Sequence, residues 1–339
     1  MKACVSRRRI WWSFRPATSW MVSILVLLAS LTARAESLRI AGNFPANHSS
    51  SLAMAQFKLD VEKASAGELK VEVFPAMQLG GAQDNVDQVR NGSLFMTWIS
   101  TAYLSRTIPE LSVLSIPFLF PDRRVAFKVV DGQVGSLLRD RFASKGFVPL
   151  GFMELGPRQL TNNQRPIRSI SDLKGLKIRL QPDEIHMATF QALGANPVTM
   201  DIKEVYGALQ SGALDGQENP FAVIRDRNFP KVQKYLSNTS HFFDFIVLAA
   251  NKQRFEALKP EHQKIIRDAM ATAVLAQRTA AAAEDIGAIV ELTNRGMQLE
   301  PVRPSFRADM RKATQSIVDS VRQRAGAELV EATLNAATK

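Results

Sequence analysis

Leu176-Lys-Ile-Arg-Leu180, Asp183–Leu193, Asn196-Pro-Val-Thr-Met200 and Asp201-Ile-Lys-Glu204 read as strand, helix, strand and capped helix within thirty residues. Leu176–Leu180 alternates apolar and basic side chains. The next segment has helical spacing and stops at Gly194. Asp201 followed three residues later by Glu204 is the spacing of a capping box, and that helix runs to Gly212. A strand ending at Asn219 and Pro220 follows. Strands that alternate with helices are the signal of an α/β fold with a mostly parallel sheet.

Upstream the same logic repeats. Leu38–Gly42, Leu69–Phe74 and Leu94–Ile99 read as strands, separated by a helix that ends near Ala64 and by a short one over Asp84–Arg90. Ile116-Pro-Phe-Leu-Phe-Pro121 is too rich in proline for a central strand and reads as a packed connector. Arg124–Ser144 reads as a single helix, with strands at Phe147–Met153 and Arg158–Asn162. Downstream, Phe242–Ala250 is an apolar strand broken by Asp244. Pro260 then opens a helix to about Arg295, roughly 50 Å long at 1.5 Å per residue, too long for one small domain and so expected to lie across two.

The chain has 339 residues and a net charge of +11, which at face value suggests a nucleic-acid binder. The distribution argues otherwise. Met1–Ala35 holds six basic residues and no acid, a twelve-residue apolar run Trp20–Leu31, and Ala33-Arg34-Ala35 at its end. That is the layout of a secretory signal peptide cleaved after Ala35, and the apolar run is short of a membrane span. Without it the balance is 37 basic against 32 acidic residues, with no basic cluster interleaved with aromatics. No nucleic-acid partner is expected. The lone cysteine, Cys4, leaves with the leader, as do three of the four tryptophans, so Trp98 remains. The expected location is the periplasm.

Catalytic patterns are missing: there is no G-x-G-x-x-G, P-loop, H-E-x-x-H or G-x-S-x-G. His48, His186, His241 and His262 are scattered and read as structural or surface residues. Ser171-Asp-Leu-Lys174 matches S-x-x-K, but neither S-D-N nor K-T-G accompanies it, so Ser171 reads as a turn cap. No catalytic residue, metal or cofactor is expected. What stands out is polar groups at strand ends: Arg179, Arg158 after a Gly-Pro turn, and Asn219. Strand ends border the ligand crevice of α/β sheets, and a guanidinium there can clamp a carboxylate. The plainer alternative is that each arginine pairs with a surface acid.

Lys174-Gly-Leu-Lys-Ile-Arg179, Leu193-Gly-Ala-Asn-Pro197, Glu204-Val-Tyr-Gly-Ala-Leu-Gln210 and Asp215-Gly-Gln-Glu-Asn-Pro220 together resemble the DctP-type periplasmic solute receptors of TRAP transporters. Gln78-Leu-Gly-Gly81, Pro117-Phe-Leu-Phe120, Gly156-Pro-Arg-Gln-Leu-Thr-Asn162 and Val232-Gln-Lys-Tyr235 fit as well. The resemblance implies a two-lobed α/β periplasmic binding protein (Venus-flytrap) fold, with a long helix spanning both lobes. Residues 36–155 plus about 244–283 would form lobe I, and 156–243 plus about 284–337 lobe II. It implies an organic acid closed between the lobes and passed to TRAP permease subunits, with no chemistry performed. Arg179 is then the principal carboxylate clamp, with Arg158 and Asn219 as supporting donors. Phe95 stands where many relatives carry an acid. Ser100 stands where the sialic-acid branch has glutamate, which argues against that branch. Phe44 and Trp98 are read as an apolar wall for a ligand that is aromatic or bulky, with Phe221 and Phe243 able to add to it. Ser100, Asn47 and Gln83 complete the candidate contacts. Two alternatives stay open: a receptor of similar shape feeding a signalling kinase, and a periplasmic hydrolase.

Overall fold

The computed structural model describes residues 35–338; the leader expected over Met1–Ala35 otherwise lies outside the described residues. Among the described residues eleven strands occur in chain order: β1 (Glu36–Gly42), β2 (Leu69–Phe74), β3 (Met96–Ser100), β4 (Phe147–Pro157), β5 (Gln159–Asn162), β6 (Lys177–Leu180), β7 (Asn196–Thr199), β8 (Gly216–Asn219), β9 (Tyr235–Ser237), β10 (Phe243–Asn251) and β11 (Gln298–Glu300). They form two sheets, one ordered β2-β1-β3-β10-β4 and the other β11-β9-β5-β8-β6-β7. Each sheet is the centre of one lobe.

β1 runs parallel to β2 and β3, and β6 runs parallel to β7 and β8. β10 is antiparallel to both β3 and β4, and β5 is antiparallel to β8 and β9. The sheets are therefore mixed, where the alternating pattern predicts mostly parallel ones. The antiparallel strands are those next to the lobe crossings. β4 leaves the first sheet at Pro157 and the chain enters β5 of the second at Gln159; β9 leads through residues 238–242 back into β10. The Arg158 amide donates to the Phe242 carbonyl at 2.9 Å, tying the two crossings together.

β10 is buried along its whole length, which explains its nearly unbroken apolar sequence. Phe245, Val247 and Ala249 pack into the core on one face of the first sheet, and Ile246, Leu248 and Ala250 into that on the other. That alternation is the period of two of a strand. Trp98 on β3 lies in the second of these cores, beside Phe57, Met54 and Met270. Its register partner on β1 is Gly42, where a Cβ would sit 2.3 Å from the indole ring. Only a residue without a side chain lets β1 pass the tryptophan this closely.

The helix Pro260–Asn294 packs on the helix Ser49–Ala64 and on β4 in the first lobe, and on the helix Phe221–Asp226 in the second. Ile266, Met270 and Ala273 serve the first lobe's core; Ala288 and Leu292 serve the second's. Gln277, fully buried midway, bonds both backbone groups of Glu154 in β4, each at 2.8 Å.

Two further differences from the sequence reading concern helices. Residues 124–144 form two helices, Arg123–Asp131 and Gln133–Ser144, because Gly132 interrupts them with φ −93° and ψ −147°. The chain after Pro304 folds into three further helices. The first of these, Pro304–Ala313, packs on the second lobe, but Ile317, Val321, Leu329 and Val330 of the last two lie in the first lobe's core. Residues beyond about 316 thus return to lobe I, against the assignment of 284–337 to lobe II, because their apolar stripes complete the face under Leu111, Val130 and Leu138.

Candidate ligand-binding site

The carboxyl ends of β1, β3, β6 and β8 converge on one cleft with about 410 Å³ of empty volume, part of it open to solvent. This is where open α/β sheets place ligands. Asn43, Phe44 and His48 follow β1, Ser100 and Tyr103 come from the end of β3, and Arg179 and Gln181 from the end of β6. Asn219 closes β8, and Asp226 and Arg227 end the short helix after Pro220. Leu155, Ile202 and Val223 supply apolar surface.

Arg179 is fully buried. Its Nε and Nη2 donate to the Met200 carbonyl at 3.0 and 2.8 Å, and Nη2 also reaches the Tyr103 hydroxyl at 3.3 Å. These bonds fix the plane of the guanidinium. Nη1 is buried with no partner among the described residues. No carboxylate pairs with Arg179 there, so its charge is available to an anion in the cleft.

Arg158 is equally buried, and each of its nitrogens has a partner. Its Nε and Nη2 grip Glu218, Nη1 donates to Asp244 at 2.9 Å, and Nη2 also donates to the Asn219 amide oxygen at 3.2 Å. Burial alone would raise the Glu218 carboxyl, but the charge of Arg158 and a hydrogen bond with His241 hold it well below its usual range. His241 is pushed down by burial, against the pull of Glu218. Arg158 does not line the cleft. The expectation that it donates to the ligand is corrected: two carboxylates already use its donors.

Asp244, which the sequence presents as a break in a strand, is the hub of this layer. It accepts from Ser100 Oγ at 2.9 Å, Arg158 Nη1 and Gln181 Nε2 at 2.8 Å. It thereby joins the end of β3 in one lobe to the end of β6 in the other. Ser100 lines the cleft, but its hydroxyl is committed to Asp244 and to the Ala102 amide. Asn219 keeps one amide hydrogen free, since Nδ2 gives the other to Gln217 Oε1.

The remaining predicted contacts divide. Phe44 faces the cleft and stacks on His48, with centroids 4.7 Å apart. Trp98 does not; it belongs to the core, held there by the register of β1 and β3, so it is removed from the apolar wall. Phe221 and Phe243 are buried in the cores of the second and first lobe. Asn47 is exposed on the loop and Gln83 is half-buried on the helix Ala82–Arg90; neither lines the cleft.

Sequence reasoning missed Tyr103, His48 and Arg227. His48 Nδ1 accepts from the Ser50 amide, and burial with the charges of Arg225 and Arg227 lowers its pKa to about 3. The ring is neutral, so Nε2 carries the hydrogen. Arg227 donates from Nη2 to the Asn43 carbonyl at 2.6 Å across the cleft. The signal for it was the Arg225-Asp-Arg227 run just after Pro220, which has meaning only once the helix there is known to face the cleft.

A family model, bacterial extracellular solute-binding protein family 7, matches residues 40–324. The chain belongs to the DctP family. It is a solute-binding protein of the TRAP type, with the two-lobed fold of that family. The 2,3-diketo-L-gulonate-binding periplasmic protein YiaO of Escherichia coli is 35% identical over 242 residues, covering 71% of this chain and 74% of that one. The sugar-acid-binding protein DctPAm of Advenella mimigardefordensis, solved with galactonate, superposes with a TM-score of 0.87 at 31% identity, covering 89% and 98% of the two chains. A TRAP solute-binding protein of Polaromonas bound to D-erythronate gives 0.84 at 33% identity, covering 88% and 98%.

Proposed function

We propose that this DctP-family protein is a periplasmic receptor that closes its two lobes on an organic acid and hands it to TRAP permease subunits. The single observation that carries the reading is Arg179: a fully buried guanidinium, held rigid by the Met200 carbonyl, with Nη1 unpartnered in the cleft. A carboxylate oxygen accepting from Nη1 satisfies it. Asn219 offers a free amide hydrogen and His48 an Nε2–H beside it. Both guanidiniums of the cleft come from the second lobe and touch first-lobe atoms, Tyr103 Oη and Asn43 O. Closure therefore brings together contacts that a ligand held by one lobe cannot have, which is how a ligand shifts a hinge equilibrium.

The receptor reading needs no catalytic step: in the cleft lining His48 bonds Ser50 and Asp226 bonds Arg225. Support for an aromatic or bulky ligand is reduced to Phe44 stacked on His48, now that Trp98 lies in the core. The neighbours solved with galactonate and D-erythronate favour a compact hydroxylated acid instead.

The test is calorimetric. A panel of organic acids is titrated into the mature protein and into Arg179→Ala and Arg179→Lys. Loss of a buried charge partner corresponds to about 3–5 kcal/mol, or two to four decades in affinity, for Arg179→Ala. Arg179→Lys is expected to bind poorly too, since one ammonium cannot hold the Met200 carbonyl and present a fixed donor to the cleft as the planar guanidinium does. Affinity of Arg179→Ala within about threefold of wild type would overturn the assignment.

A further inference from the structure

The long helix Pro260–Asn294 turns one face to the two lobes and the opposite face to solvent. The solvent face of a surface helix ordinarily carries charge. This one does not. Between Asp268 and Glu291 no charged residue is exposed: Arg278 bonds the Phe152 carbonyl, Asp285 bonds Arg123, and Glu284 is half-buried. The face instead exposes Leu275 at 66%, Ile286 at 72% and Val290 at 58%, set among alanines, threonines and a glycine. Five of the six exposed large apolar side chains among the described residues belong to this helix or, as Leu52 and Leu59, to the helix Ser49–Ala64 packed on it. Scattered singly they would need no explanation; gathered on one face they mark a contact surface.

The order of side chains on that face says what covers it. Steps of four, seven and four residues keep Leu275, Thr279, Ile286 and Val290 on one side of the helix. The pattern is also nearly self-complementary about Ala281. When two copies lie antiparallel across a two-fold axis there, Leu275 of one meets Ile286 of the other, Thr272 meets Val290, and Thr279 meets Ala283. Each contact then occurs twice, as an isologous interface requires. Ala276 and Gly287 border the seam, and small residues let two helix axes come within about 8 Å. A face without exposed charge offers nothing by which an acidic or basic partner would be chosen. Against its own copy it buries no unpaired charge.

We propose that this face is the seam of a symmetric homodimer, with the two long helices antiparallel and crossing at Ala281. From Thr272 to Val290 the seam runs roughly 27 Å at 1.5 Å per residue. With one helix at its centre it is narrow beside the ~800 Å² per partner of a standard interface, so the dimer is weak and concentration-dependent. No residue of the face lines the cleft, so the dimer stands or falls independently of the carboxylate reading.

The test is sedimentation velocity on the mature protein from about 1 to about 300 µM, where a rising dimer fraction is expected. Ile286→Glu sets a carboxylate from each copy into the seam and is expected to raise the dimer dissociation constant at least about 30-fold. Because Ile286 is exposed, the urea midpoint should stay at the wild-type value. Register is read with cysteines, which the chain beyond Ala35 lacks. Leu275→Cys and Ile286→Cys, mixed and treated with a short bismaleimide, should link to one another. Leu275→Cys alone should not link, since its two copies stand roughly 18 Å apart along the seam. A wild type that stays monomeric at every concentration overturns the proposal. So does an Ile286→Glu variant that dimerises as strongly as wild type, or Leu275→Cys linking to itself as fast as to Ile286→Cys. A monomeric wild type that binds purified permease subunits, with Ile286→Glu abolishing that, assigns the face to the membrane partner and overturns the homodimer as well. If Ile286→Glu lowered the urea midpoint, the milder cysteine variants would decide alone.

Discussion

Arg158 and Arg179 make the sharpest comparison in the molecule. Both are fully buried, both stand at strand ends of the second sheet, and both were expected to hold the ligand. Arg158 faces the lobe crossing, where Glu218 and Asp244 meet it; Arg179 faces the cleft, where it meets a backbone carbonyl, a tyrosine hydroxyl and no acid. The residue type and its burial are the same, so neither decides the role. The carboxylates around it do. A buried cation with its own acids is part of the framework; one without them is part of a binding site.

That contrast can be broken most directly by exchanging the readouts. Arg158→Ala leaves two buried carboxylates unpaired, and should cost about 3–5 kcal/mol of folding stability in urea unfolding. Arg179→Ala should leave stability nearly unchanged while binding is lost. If Arg158→Ala unfolded at the wild-type denaturant midpoint and instead lost ligand, the division between framework and site would be wrong.

The wall between core and cleft supplies the next test. Gly42→Ala puts a methyl 2.3 Å from the Trp98 ring and 2.7 Å from its carbonyl oxygen, and the backbone atom cannot swing away. An overpacked core of this kind costs about 1–3 kcal/mol, read as a lowered unfolding midpoint. A midpoint at the wild-type value would mean that the strands part easily there.

His48 sharpens the comparison by pH. It is buried neutral with a pKa lowered to about 3, so between the ordinary histidine value and that figure the unfolded chain binds a proton that the folded one does not. Stability is therefore full above the unfolded pKa and falls as pH drops. From pH 7 to pH 5 His48 should account for about 2 kcal/mol of loss. Glu218, held below its usual range, adds its own loss only under more acidic conditions, where free carboxylates protonate. Replacing His48 by Asn, which can still accept from the Ser50 amide, should flatten the pH 7 to 5 slope; an unchanged slope would locate the acid sensitivity elsewhere.

The smallest expected effect is optical. Trp98 is the lone indole of the described residues and lies in the core, so its emission should barely respond to ligand. A large shift on binding would mean that closure reaches the interior of the first sheet.

Legibility in the sequence followed the range of the forces. The helix Pro260–Asn294, the strand Leu69–Phe74, the N-cap Asp201 and the helix after Asp183 were readable because periodicity and capping are local. Arg179 and Asn219 were readable because strand ends in an α/β pattern border a crevice. Trp98 looked like a strand-end contact because nothing local says that Gly42 is its neighbour. The placement of the last two helices on the first lobe was equally hidden, since an apolar stripe states that a face is buried and not against what.

The amino-acid sequence by itself determined the α/β alternation, the two-lobed family and two of the strand-end residues, Arg179 and Asn219, that line the cleft. The tertiary structure alone decided which arginine is free. Glu218 and Asp244 lie 60 and 86 positions from Arg158 in the chain, and charge pairing depends on distance in space. Only the folded crossing brings those acids to Arg158 and leaves Arg179 and Arg227 to face the cleft without them.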